Sequence, residues 1–197
     1  NPSFELKKHL SSNWANNDAF LTAVFNALSI SFPKGEKFFM NSVRAFKDEV
    51  NTEMSEEIRM FCLQEATHTR EHIKYNKLLC ELKGYDVEQL ESIFAKKLEK
   101  SYSPKVDNKI RLAITTAMEH ITASMGASML KGNLVKSDNP VADMWKWHSL
   151  EEVEHKSVAY DVYKAVNGSD KVMRIVMKLA LRSEERRVGK ECRSRWS

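Results

Sequence analysis

Two tetrads in this chain carry a carboxylate and an imidazole at the same spacing: Glu65-Ala-Thr-His68 and Glu152-Val-Glu-His155. Residues three apart on an α-helix share a face, so each tetrad points one acid and one ring the same way. Either alone would mean little in a chain rich in Glu. Together, on two separate long helices, they form the pattern of a dinuclear carboxylate metal site, which draws one more Glu from each of two further helices. Glu36 and Glu119 stand where those are needed.

Axial heights support the grouping. Glu119 precedes the end of its helix near Lys131 by about twelve residues and Glu152 follows Pro140 by twelve, each roughly 18 Å from the intervening turn. Glu36 and Glu65 lie roughly 21 and 15 Å from the turn at 51–54. Two helical hairpins thus each present paired carboxylates at mid-height. His148, four residues before Glu152, shares its face. It comes about 6 Å below the carboxylate plane and His68 about 4.5 Å below, so the two could serve one metal ion. The expected ligands are Glu36, Glu65, His68, Glu119, His148, Glu152 and His155.

Other residues near these positions read differently. His72, one turn past His68, reads as a hydrogen-bond partner of a ligand or as an entrance residue. His120, about 100° around the helix from Glu119, reads as helix packing or as a ligand's partner. Glu71, Glu151 and Glu154 point off the shared face and read as solvated charge. Phe38, Phe39, Trp145 and Trp147 read as core, and Val158 and Tyr160 as partly buried. Ala123 and Gly126, on the Glu119 face, leave space for a substrate or let two helices approach closely.

The elements that must position these groups are all helices. The chain has 197 residues with only 6 Gly and 4 Pro, too few for the many tight turns of an all-β fold. Helices are expected at 16–32, stopped by Pro33, and at 34–50. A long third follows a Ser55 cap and ends at Gly84, a shorter one covers 86–100, and another runs from Pro104 to Gly132. The stretch WHSLEEVEHKSVAYDVY lies on one uninterrupted helix from Pro140 to Val166, and NGSD at 167–170 caps a last one. The 84–104 segment is long enough to cross from one end of the bundle to the other. The fold class is all-α, a ferritin-like four-helix bundle with additional flanking helices.

Composition limits the function classes. Hydrophobic content of 42% and charged content of 29% fit one globular domain. Residues 182–197, RSEERRVGKECRSRWS, break this pattern and resemble translated sequencing adaptor; the other reading is a basic tail for nucleic acid or membrane. Setting aside its six basic and three acidic residues lowers the formal charge from +4 to +1, which removes the case for a polyanion partner. The domain is then 1–181, clipped at both ends, the first residue being Asn1 rather than Met. Cys62 and Cys80 lie about 27 Å apart along one helix and cannot bridge, which fits a reducing, cytoplasmic compartment. No phosphate loop, nucleotide fingerprint, basic groove or membrane-spanning run is visible. A small-molecule substrate and a possible homo-oligomer are the expected partners.

The segments NALSISFPKGEKFF, LQEATHTREHIKYN, AMEHITAS and WHSLEEVEHKSVAYDVY together resemble an uncharacterised bacterial family labelled predicted metal-dependent hydrolase, over roughly Phe20 to Val166. The spacing His148-x-x-x-Glu152-x-x-His155 also resembles that of the di-iron arylamine N-oxygenases, which add a histidine to the usual carboxylate set. Mixed imidazole and carboxylate ligands suit two ions of Fe, with Mn or Zn as alternatives. Iron and shifting carboxylates favour an O₂-activating oxygenase or oxidase. The alternatives are hydrolysis by a metal-bound hydroxide and non-catalytic iron binding.

Overall fold

A computed structural model describes the backbone of residues 4–103, 105–132 and 134–193, and the side chains among them except those at 97, 100–102 and 183–193. The tail assigned to 182–197 therefore falls almost wholly outside the described side chains. Among the described residues eight α-helices follow one another: α1 Lys7–Leu10, α2 Ala19–Arg44, α3 Thr52–Lys83, α4 Val87–Tyr102, α5 Asn108–Leu130, α6 Pro140–His155, α7 Val158–Ala165 and α8 Asp170–Arg193. The described residues contain no strand, so the fold is all-α.

The helices that carry the expected ligands pack in pairs, α2 along α3 and α5 along α6, with α2 also against α5. Their apolar residues fall into two separate cores. One joins Phe25 of α2, Tyr75 and Leu79 of α3, Met129 of α5 and Trp145 of α6. The other joins Phe38 and Val43 of α2, Ile58 and Phe61 of α3, Leu112 of α5 and Val162 and Tyr163 of α7. Glu36, Glu65, His68, Glu119, His148 and Glu152 lie between these two sets along every helix and are buried. A polar layer is thus enclosed by an apolar core at each end. Helix α3 finishes in the first core and α5 begins in the second, so α4, which packs on α2, spans the length between them.

Several elements differ from the sequence expectation, each for a local reason. Pro33 does not stop a helix: α2 runs through it from Ala19 to Arg44. A proline inside a helix leaves the carbonyl four residues back without its donor. Here that carbonyl, on Ser29, accepts from Nδ2 of Asn76 at 3.0 Å, so a neighbouring helix replaces the missing bond. Helix α3 starts earlier than the Ser55 cap, because Oδ1 of Asn51 accepts from the Met54 amide at 2.9 Å. It stops at Gly84, whose φ of 69° is the left-handed conformation that ends helices. Helix α5 is capped by Asp107, whose Oδ1 accepts from the Lys109 amide at 2.7 Å; Pro104 lies outside the described residues.

The helix from Pro140 to Val166 is interrupted after His155 and resumes at Val158. Lys156 and Ser157 keep right-handed helical dihedrals, so the hydrogen-bond ladder lapses without the chain turning. No proline or glycine marks that point. An N-terminal segment also contributes: Leu6, Leu10 and Trp14 are buried in the first core, and the Trp14 ring stacks on Trp145 at 6.4 Å. No helix of the described residues is long and apolar enough to cross a membrane.

Candidate metal centre

Four helices deliver the polar layer. Helix α2 brings Glu36, α3 brings Glu65, His68 and His72, α5 brings Glu119, and α6 brings His148, Glu152 and His155. The two Glu-x-x-His tetrads face each other across α3 and α6. Glu65, His68, Glu152 and His155 each offer a ligand atom within 4.8 Å of the others, and all four are buried. Oε1 of Glu65 is 3.1 Å from Nε2 of His155, and Nδ1 of His68 is 3.6 Å from Oε1 of Glu152.

A second group forms beside the first from Glu36, His72 and His148. Its imidazoles face each other, with Nε2 of His72 2.7 Å from Nδ1 of His148. Nε2 of His148 is 3.0 Å from Oε1 of Glu152, which links the two groups. His68 and His148, expected to serve one ion, have rings stacked 4.1 Å apart but converge with different partners. Glu119 belongs to neither converging set; its Oε2 lies 3.3 Å from Nδ1 of His155.

The three acids expected as solvated charge have different surroundings. Glu154 is exposed, as its position off the ligand face implies. Glu71 is buried, with Oε1 2.9 Å from both Nε of Arg70 and Nζ of Lys74, because the long basic chains fold over it. Glu151 is half-buried and reaches the centre, its Oε2 2.9 Å from Nε2 of His68. Trp147 holds it there by donating from Nε1 to Oε1 at 3.1 Å. His120 is exposed rather than packed or partnered with a ligand, and Tyr160 is 44% exposed rather than partly buried, since each faces outward from its helix. Phe38, Phe39 and Trp145 are core residues.

Gly126 resolves the two readings of the small residues on α5. A Cβ built there would lie 2.9 Å from the Ser149 carbonyl oxygen, so the glycine permits close approach of α5 and α6. A cavity of about 10 Å³ remains beside it, walled by Phe25, Phe32, Met129 and Trp145 and reaching His148 and Glu152.

The electrostatics describe a layer short of positive charge. Burial pushes Glu65 well above the usual carboxylate range, with Glu119, Glu152 and Glu36 adding repulsion. Burial likewise raises Glu36 well above its ordinary value despite a hydrogen bond from the Thr69 hydroxyl at 2.7 Å. Glu119 is raised by burial to about 7. Burial works against ionised Glu152 too, but its contacts with His148, His155 and His68 bring it down to about 2. His68 is lowered by burial to about 4, and burial lowers His72 well below its ordinary value. Burial disfavours charged His155, but Glu119 beside it overcomes this and raises it.

These residues fit a metal ion. Both oxygens of Glu65 and Glu119, both ring nitrogens of His68 and His155, and one oxygen each of Glu36 and Glu152 are buried without a well-directed hydrogen bond. So many orphaned groups of one chemical kind in a folded interior require a partner that the protein itself does not supply. Divalent cations would satisfy both the lone pairs and the surplus negative charge.

The description "Predicted metal-dependent hydrolase" belongs to a family model that matches residues 1–184, and the chain belongs to that family. No curated protein and no solved structure matches it.

Proposed function

We propose that this member of the predicted metal-dependent hydrolase family holds two metal ions, iron by preference, and acts on a small molecule as an O₂-dependent oxygenase or oxidase in the cytoplasm. The observation that carries the reading is the buried convergence of Glu65, His68, Glu152 and His155, with Glu36 and His148 grouped beside them and Glu119 against His155. Glu65, His68, Glu152 and His155 would hold one ion, and Glu36 with His148 the other. Glu119 would join by a short side-chain movement from its place against His155. The traverse of α4 between the two ends supports the ferritin-like reading of the bundle. Buried, unbridged Cys62 and Cys80 are consistent with a reducing compartment.

Ions in this ligand set would supply one-electron chemistry toward O₂ or Lewis acidity toward a carbonyl or phosphoryl oxygen. The protein's own part is orientation and dryness. Thr69 fixes Glu36 by donating to its Oε2, leaving Oε1 free to ligate. The cavity of about 10 Å³ against His148 and Glu152 is of the order of one water molecule.

Hydrolysis is the second reading, and it matches the family's description. Glu151, half-buried beside His68, would serve it by orienting that ring.

The deciding experiment is metal analysis and optical spectroscopy of the purified protein, before and after anaerobic reduction and O₂ exposure. Two irons per chain, with a near-ultraviolet band that bleaches on reduction and returns with O₂, support oxygen chemistry. Two zinc ions without redox response transfer support to hydrolysis. Absence of stoichiometric metal defeats both.

A further inference from the structure

We infer that Asn76, Ser29 and His72 form a directional hydrogen-bond chain, anchored at Pro33, that keeps a proton on Nδ1 of His148 and turns its Nε2 toward the metal centre. The inference rests on the metal-centre reading above and adds to it a set of positioning residues that touch no ion themselves.

Polarity enters the chain at the backbone. Pro33 has no N–H, so the Ser29 carbonyl lacks a helical donor. Asn76 supplies one through Nδ2 at 3.0 Å, and only the amide nitrogen of that side chain can do so. Its Oδ1 is therefore directed as an acceptor, and it takes the Ser29 hydroxyl proton at 2.6 Å. A hydroxyl has one proton. Having donated it to Asn76, Ser29 can only accept from His72, whose Nδ1 lies 2.8 Å from Oγ. A neutral His72 with its proton on Nδ1 has a lone pair on Nε2. That lone pair faces Nδ1 of His148 at 2.7 Å, so His148 must donate from Nδ1.

Nε2 of His148 is then the nitrogen left to ligate, and it points at Glu152 Oε1, 3.0 Å away. Such a separation suits two ligand atoms sharing one ion. Every link is buried: Ser29, His72 and Asn76 are fully enclosed, and His148 is 3% exposed. Water cannot reverse the order of donors from outside. Phe32 and Trp145 pack edge-on against His72 and hold its ring plane. His72, although grouped with Glu36 and His148 by distance, is thereby occupied at both nitrogens and orients His148 instead of binding metal.

The test reads the protons directly. Nitrogen-15 spectra of histidine-labelled full-length protein, stripped with a chelator and then titrated with Zn(II), would be assigned through His72→Gln and His148→Gln. The expected result is protonated Nδ1 on both rings throughout, with only Nε2 of His148 shifting on zinc addition. Protonation of His72 at Nε2, or a zinc-induced shift of His72 itself, overturns the inference. Correct tautomers with no zinc response leave the hydrogen-bond chain standing and defeat the metal reading. In Ser29→Ala, His72 is expected to show a mixture of tautomers and one zinc ion to bind ~10- to 100-fold more weakly. An unchanged His72 spectrum in a folded Ser29→Ala protein also overturns it, and the wild-type spectrum decides alone if that variant does not fold.

Discussion

Glu151 Oε2 lies 2.9 Å from Nε2 of His68, on the side of the ring away from Glu65 and Glu152. This leaves Nδ1 of His68, 3.8 Å from Glu65 and 3.6 Å from Glu152, as the nitrogen facing the centre. A carboxylate behind a ligating histidine orients it and raises its basicity. Glu151→Ala is expected to weaken one metal ion by about 10- to 100-fold, whereas Glu151→Gln, which keeps an acceptor, should lose less. Competition with a chelator of known affinity measures both. Equal affinities in Glu151→Ala and the parent would remove Glu151 from the centre.

Glu65 should affect folding and metal binding in opposite directions. Burial and the neighbouring carboxylates Glu119, Glu152 and Glu36 disfavour an ionised Glu65 in the metal-free fold, and removing that carboxylate relieves this cost. Glu65→Leu is therefore expected to raise the melting temperature of the chelator-treated protein while abolishing one of two metal sites. A lower melting temperature with metal stoichiometry unchanged would show that Glu65 is structural.

Acidity should separate the metal-free and loaded proteins. Glu119 is raised to about 7, so the folded chain holds its proton more tightly than the unfolded chain does. Its contribution to metal-free stability is present below the ordinary value of 4.5 and lost as pH rises toward 7, with Glu36 and Glu65 acting in the same sense. Glu152, lowered to about 2, acts oppositely: its contribution is present above 4.5 and lost as pH falls toward 2. Metal binding must displace the retained protons, so affinity should strengthen as pH rises through 7. Thermal melts with and without metal between pH 4.5 and 8 should diverge; parallel curves would contradict it.

Glycine substitutions test the packing of the helices that carry the centre. Gly126→Ala places a methyl 2.9 Å from the Ser149 carbonyl oxygen and forces α5 from α6, at an expected ~1–3 kcal/mol. Gly35→Ala, inside α2 with nothing within 4 Å of the added carbon, should stabilise by roughly 0.5–1 kcal/mol. Denaturant unfolding of the two variants should shift in opposite directions, and a neutral Gly126→Ala would mean the helices part freely.

Helical periodicity governs the part of the site that is legible from the order of residues alone. Glu65 with His68, and Glu152 with His155, share faces because three residues nearly complete a turn, and that relation survives any packing. The end of α3 at Gly84 is similarly local, because a left-handed glycine ends the ladder. Contacts between helices were decided only by the tertiary structure. Pro33 reads as a stop because its missing hydrogen bond is visible in the sequence, while the substitute donor, Asn76, is 43 residues away on α3. Glu151 is off the ligand face of its own helix yet within reach of His68 on another. His72 becomes a partner of His148 because α3 and α6 bring their rings together. Periodicity fixes direction around a single axis, whereas these relations depend on how two axes approach and on which buried groups must then satisfy each other.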